Sequence, residues 1–343
     1  MTFYGCERPL FHPGALPSED CGVHLGSVKV LIVGAGTMGM SHGWLLSSAH
    51  EVTFLVRAAR AAFYQHDVEL HVHDLRPHRA DQVRRFRPRI VCSAEPGQYD
   101  IVLVMVDRPH LSSALPAVEA LAGHCPVVFM LNHWDIESQV TPAVARSGYL
   151  LGFPSQVGGG REGHRLDVTI FPEGTVLEAP APSTHDSLLR VRRLLESAGL
   201  TVRWQTSMPD WMAVHSMQQS LTAAPVLESG GYEAFCHDRQ AVEGLVRAFT
   251  EGLRVCRARG IRTWRIWPSP LFLLPTPLVT TGIQKMLQQP ETTAMVTGHM
   301  RHGLADWVAG FRDLYACAQA LGVHTPELDH HHQVIEQHWR DGR

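Results

Sequence analysis

VKVLIVGAGTMG, residues 28–39, is the stretch on which the fold turns. Its first half, VKVLIV, is an almost unbroken aliphatic run, the pattern of a strand buried on both faces. Its second half spaces Gly34, Gly36 and Gly39 as GxGxxG, directly before a helix-compatible segment at 37–48. Gly34 permits the tight turn, Gly36 lets backbone approach a ligand, and Gly39 lets the helix pack closely on the strand. Ala35 completes the turn. The N–H groups of Thr37 and Met38 then point outward at the positive end of the helix dipole, ready to hold a pyrophosphate. A glycine triplet alone is a weak signal, but this one joins a first buried strand to a helix.

Outward from this turn, short apolar runs alternate with helical segments. EVTFLV (51–56), IVLVMV (101–106) and PVVFML (126–131) read as buried strands, and VELHVHD (68–74) as an alternating antiparallel strand. Helices are expected near 111–123, 135–146 and 184–198. DVTIFPEGTVLEA (167–179) reads as a hairpin around Pro172-Glu173-Gly174, and LTVRWQ (200–205) as a closing strand. Buried strands joined by helices imply an α/β Rossmann sheet, doubly wound, with helices on both faces. After residue 208 only helix-compatible stretches remain, at 209–225, 232–259, 290–321 and 326–339. They are interrupted by the four-proline segment 264–278, an expected loop that either packs on the helices or covers a pocket. The expected organisation is an extension at 1–27, a nucleotide-binding domain at 28–207 and an all-helical domain at 208–343.

Bulk composition narrows the function classes. The chain has 343 residues, 45% of them hydrophobic and 18% charged, enough for a large core without staples. A formal net charge of -3 gives no footprint for nucleic acid or an anionic membrane. Seven cysteines occur singly (Cys6, Cys21, Cys92, Cys125, Cys236, Cys256, Cys317), with no CxxC pair. That spacing argues against a disulfide framework or a zinc site and fits a reducing, cytoplasmic setting. His330-His331-His332 points three ways around a helix, so it forms no single ligand set, and no metal is expected.

The second strand selects the coenzyme. NAD-binding domains place Asp or Glu near its end to accept from the ribose 2′-hydroxyl. Here it ends Leu55-Val56-Arg57, with Arg60 following. A guanidinium grips a 2′-phosphate in bidentate fashion, so NADPH is the expected cofactor. Val106 closes the strand 101–106, and Asn132 follows the strand 126–131, at the sheet edge where Rossmann ligands lie.

These features together resemble the ketopantoate reductase family. The strand-turn-helix opening, EVTFLVR with its terminal Arg57, VLVMV at 102–106, PVVFMLNH ending in Asn132-His133, and the helical second half match in order over about residues 28–336. The resemblance implies an active site between the two domains, NADPH-dependent reduction of a 2-oxo acid, and pairing of chains through the helical half. The sequence departs from the family pattern where its lysine follows a tryptophan as WxK. Trp211-Met212-Ala213 places Ala213 there, and Met217 and Leu221 replace the asparagines that follow. Asp107 stands where another family lysine is expected, and Asp306 lies near the place of a family glutamate. A substrate other than ketopantoate is expected, of the kind met in specialised metabolism.

Hydride reduction of a ketone, 2-oxo acid or imine needs a proton donor and groups that hold the substrate oxygen or nitrogen. His215, four residues after Trp211 on one helical face, is the leading donor in place of the lysine. Asn132 is a candidate for the nicotinamide ribose or the substrate oxygen, His133 for a share in proton transfer, and Arg161 for a substrate carboxylate. Two alternatives stay open: a protein that binds the nucleotide without hydride transfer, and a redox-neutral isomerase or cyclase on the same fold.

Overall fold

A computed structural model describes residues 26–341, without the side chains of 290, 291, 294, 295, 298–302 and 341. Almost all of the expected extension, with Cys6 and Cys21, lies outside the described residues. The strands are β1 (Lys29–Val33), β2 (Glu51–Leu55), β3 (Val68–Asp74), β4 (Gln82–Phe86), β5 (Ile90–Val91), β6 (Ile101–Val104), β7 (Val127–Met130), β8 (Leu150–Phe153), β9 (Val157–Glu162), β10 (Arg165–Ile170), β11 (Thr175–Glu178) and β12 (Val202–Gln205). The helices are α1 (Thr37–Leu46), α2 (Ala58–Ala61), α3 (Leu111–Leu121), α4 (Ile136–Val140), α5 (His185–Ser197), α6 (Met208–Glu228), α7 (Tyr232–His237), α8 (Arg239–Ala258), α9 (Thr276–Leu287), α10 (Pro290–Ala320) and α11 (Pro326–Asp341).

Eight strands form the main sheet in the order β12-β11-β8-β7-β6-β1-β2-β5. All neighbours are parallel except β8 with β11. The aliphatic run of β1 explains its central place. Val30 and Ile32 enter one core with Met40 of α1 and Leu188 of α5, whereas Leu31 and Val33 enter the other with Val118 of α3. Period-two alternation with apolar residues at every position requires helices on both faces.

A second sheet, β4-β3-β10-β9, packs on the α1 side. Val68, Leu70 and Val72 of β3 turn inward, while His71 and His73 turn toward solvent. β3 is antiparallel to β4, as its alternation suggested, but parallel to β10. The hairpin expected at 167–179 does not form. β10 pairs with β9 across Gly163-His164, and β11 crosses to the main sheet beside β8. Of the three glycines at 158–160 on strand β9, Gly159 has a steric reason to be there. A Cβ on Gly159 would stand 1.9 Å from the carbonyl oxygen of Asp167.

From residue 208 onward the chain is helical. α6 is buried on nearly every side, contacting α8, α10 and α11. The helix expected over 232–259 is two helices, because Asp238 turns out of helical geometry and caps α8, accepting from the N–H of Gln240 (2.8 Å) and Ala241 (3.2 Å). α4 ends at Val140, just before Thr141-Pro142, where the proline has no N–H to continue the helical ladder. The proline-rich segment contains two 3-10 turns, Thr263–Arg265 and Ser269–Leu273, and α9 already begins at Thr276. No helix among the described residues is long and apolar enough to cross a membrane.

Candidate functional site

A single cavity of about 1080 Å³ runs from the turn between β1 and α1 to the face of α6 and on between the later helices. Pockets for one small ligand span roughly 300–1,000 Å³, so this one stands at the top of that range. At its first end the three glycines carry different constraints. Gly34 has a φ of +106°, and a Cβ there would meet the Met105 carbonyl oxygen at 2.6 Å. A Cβ on Gly39 would stand 2.2 Å from the Gly34 carbonyl oxygen. Gly36 caps α1, and a Cβ there would meet nothing within 4 Å. Two glycines therefore lock the turn, and the third leaves open space above the helix N-terminus. α1 has no acidic residue in its first turn and no side-chain cap. Its first N–H groups have no partner within the helix and remain for an anion.

The end of β2 brings Arg57 and Arg60 to the cavity wall. Arg161 joins them from β9. Its Nη1 donates to the Ala35 carbonyl oxygen in the turn at 2.8 Å, and its guanidinium lies 5.0 Å from the ring centres of Phe63 and Tyr64. Its Nη2 is buried without a partner, and burial pushes its pKa down. Arg161 thus sits beside the phosphate turn, not at the substrate end assigned from sequence, because the chain crosses after β8 into the second sheet and lays β9 against α1.

At the other end, α6 presents His215, Gln218, Gln219 and Thr222 along one helical face. The His215 ring is stacked on Trp211 with centroids 4.9 Å apart and meets the Phe153 ring at 4.3 Å. Asn132, at the end of β7, donates from Nδ2 to Gln219 Oε1 at 2.7 Å, joining sheet edge to α6. Asn132 is no helix cap, since Asp135 precedes α4. His133 departs from expectation. It is 4% exposed, does not line the cavity, and its Nδ1 accepts the Asp135 N–H at 3.0 Å. Burial, with Arg108 nearby, lowers its pKa to about 3, so the ring is uncharged near neutrality.

Sequence reading passed over Arg108 and left Asp306 without a role. The Arg108 side chain pairs with Asp313 and donates to Ser216 Oγ at 3.0 Å. Asp306 of α10 is a half-buried carboxyl whose pKa is raised by desolvation, against the pull of Arg108. Several cavity-lining groups have a buried polar atom without a partner: Arg108 Nε, Asn132 Oδ1, Arg161 Nη2, Gln218 Nε2, Thr292 Oγ1 and Asp306 Oδ1. Each costs stability unless something binds there, so their gathering around one cavity marks a ligand site. Only the α6 spacing of Trp211, His215, Gln218, Gln219 and Thr222 could have signalled part of this set in advance.

The histidine run does not converge. His330 pairs with Glu228, His331 is buried near Phe311, and His332 stacks on Tyr315. Among the described residues no group of His, Cys, Asp or Glu is arranged to hold a metal ion.

Residues 30–175 match the family model of ketopantoate reductase PanE/ApbA. That stretch is ketopantoate-reductase-like. The chain's fold is similar to that of D-mandelate dehydrogenase, solved with NADH and anilino(oxo)acetate, at 16% identity and a TM-score of 0.69, covering 90% of this chain and 97% of that one. A PanE/ApbA family ketopantoate reductase from Ralstonia eutropha JMP134 gives 17% identity and a TM-score of 0.64, over 90% and 97% of the two chains. A dimeric ketopantoate reductase from Staphylococcus aureus gives 13% and 0.59, over 90% and 99%. A comparison with curated protein sequences finds no match. At these identities the structural likeness speaks for the fold, and the family match covers the nucleotide-turn half.

Proposed function

We propose that this protein is an oxidoreductase that reduces a C=O or C=N group with a nicotinamide coenzyme, NADPH in preference to NADH. The observation that carries the reading is the continuity of the cavity from the helix N-terminus at Thr37 to the polar face of α6 at His215. One ligand can thus lay its phosphates on the turn and bring its reactive end against a second ligand held at α6. The orphaned polar atoms around both ends fit this pair of ligands.

The turn from Gly34 to Gly39 binds the pyrophosphate through backbone N–H groups, and Val106 walls that part of the cavity. Arg57 and Arg60 take the 2′-phosphate. Arg161 serves the same anionic ligand, supplying Nη2 while Nη1 stays on Ala35. Asn132 positions the nicotinamide ribose or the substrate oxygen, with its amide fixed by Gln219. When bound, the reduced nicotinamide supplies the hydride. His215 then delivers a proton to the oxygen or nitrogen that gains negative charge, from a ring held in orientation by Trp211 and Phe153. With Ala213 at the family's lysine position, His215, one turn beyond Trp211, is the ionisable side chain that α6 brings to the cavity.

The test is a panel of ketones, 2-oxo acids and imines with NADPH, read by coenzyme oxidation and product mass. A gain of two hydrogens is the expected product. An unchanged mass would assign redox-neutral chemistry, and tight nucleotide binding without turnover of any compound would assign a sensing or structural role. In Arg57→Ala the preference for NADPH over NADH is expected to fall by roughly tenfold or more, as for loss of a charged hydrogen bond. An unchanged preference would remove the coenzyme assignment.

A further inference from the structure

Past the polar groups at His215 the cavity continues between α8, α9 and the start of α10. Its walls there are Leu245 and Phe249 of α8, Phe272 of the turn Ser269–Leu273, Ile283 and Met286 of α9, and Val296 of α10. Leu245, Phe249, Ile283 and Val296 are all buried, and the Phe249 and Phe272 rings stand 4.0 Å apart between centroids. None of these side chains offers a hydrogen-bonding N–H or O–H. Among the described side chains of this stretch one does: Thr292, one turn before Val296, is 4% exposed and its Oγ1 has no partner. Nothing in the nucleotide-binding turn calls for this apolar arm. A small polar substrate would leave it dry or filled with water that the aliphatic walls cannot hydrogen-bond.

We propose that this arm receives an apolar body carried by the substrate itself. The reducible C=O or C=N stands at His215 and Asn132. Its substituent is an aryl group whose far end carries a hydrogen-bonding atom at Thr292. The identification of the occupant as substrate rests on the reductase reading above. The physical basis is twofold. Each apolar group moved from water into the arm contributes in proportion to the area removed from solvent. A buried hydroxyl left alone is costly, and a ligand atom that pairs with it recovers that cost.

Binding to nucleotide-free protein separates this inference from the reductase reading. The probes are butanone, 4-phenyl-2-butanone and 4-(4-hydroxyphenyl)-2-butanone, with 2-oxobutanoate and 2-oxo-4-phenylbutanoate as the corresponding oxo acids. Affinity is read by calorimetry. The phenyl-extended member is expected to bind roughly tenfold or more tightly than its short partner in at least one pair. Met286→Trp fills the arm and should erase that advantage while leaving NADPH affinity unchanged. Thr292→Val should lower the affinity of the hydroxyphenyl ketone relative to the phenyl ketone. Should Met286→Trp fail to fold, Phe272→Ala widens the arm instead and should favour a naphthyl over a phenyl extension. Equal affinity of short and extended members in both pairs would overturn the proposal. So would an advantage that survives Met286→Trp, or that fails to shift to naphthyl in Phe272→Ala. A protein that binds no nucleotide yet keeps the tail preference would contradict the reductase reading alone.

Discussion

The two ends of the cavity are built by different means. At the turn between β1 and α1, backbone meets backbone: a Cβ on Gly34 or Gly39 would strike a carbonyl oxygen within 2.6 Å. At the α6 end, side chains from β7, α6, the segment after β6 and α10 meet across long stretches of chain, as in Asn132 with Gln219 and Arg108 with Ser216 and Asp313. A backbone-made site is written in consecutive residues, because glycine is the residue that tolerates the approach. A side-chain-made site is written only in the tertiary fold.

The largest effect belongs to the α6 end. His215→Gln is expected to lower turnover by about 10²–10⁴ while leaving nucleotide affinity unchanged, since the ring donates a proton and does not hold the phosphates. Single-turnover rates and nucleotide titration check both halves. Near-native turnover would show that the proton comes from elsewhere, with Asp306 as the next group to substitute.

The turn gives a sharper internal contrast. Gly39→Ala forces a Cβ against the Gly34 carbonyl and should cost roughly 1–3 kcal/mol of stability together with nucleotide binding. Gly36→Ala meets no protein atom, so stability should stay within about 0.5 kcal/mol while nucleotide affinity falls sharply. Thermal melts and titrations of the two variants side by side decide this. Equal loss of stability in both would mean that Gly36 is structural and not a contact surface.

Arg161→Ala should weaken NADPH by roughly tenfold to a hundredfold, the range of one charged hydrogen bond in a buried setting. Substrate affinity at saturating coenzyme should change little. The opposite pattern, weaker substrate and unchanged coenzyme, would return Arg161 to the substrate end.

The last effect is global. Burial lowers the pKa of His42 to about 4 and of His133 and His331 to about 3. The unfolded chain titrates these groups near their ordinary 6.5. Below that pH the unfolded state binds more protons, so stability should fall as pH drops from 6.5 toward 4. Each histidine contributes at most about 1.4 kcal/mol per pH unit. Melting temperature against pH should show this slope, and His133→Asn, which keeps an acceptor for the Asp135 N–H, should make it shallower. An unchanged slope would show that His133 is not held neutral.

The same contrast explains what could be read from sequence. The parallel core was legible because β1, β2, β6 and β7 are apolar at nearly every position. β4, β8 and β9 were not: QVRRF is polar, LLGF is short, and VGGGRE lacks alternation. Missing β9 produced the false hairpin at 167–179 and with it the misplacement of Arg161. The glycine turn, Arg57 and Asn132 were found where the structure brings them to the cavity. His133 failed because its neighbour Asn132 takes the cavity-facing position and the imidazole turns into the interior. Gln218, Arg108 and Asp306 lie in otherwise ordinary helical or loop contexts, and only packing of α10 against α6 assembles them.

The account stands most directly on calorimetric titration of the folded protein with NADPH and with NADH. One NADPH should bind per chain, more tightly than NADH. A protein whose circular dichroism shows the folded state, yet which takes up neither coenzyme, would contradict it.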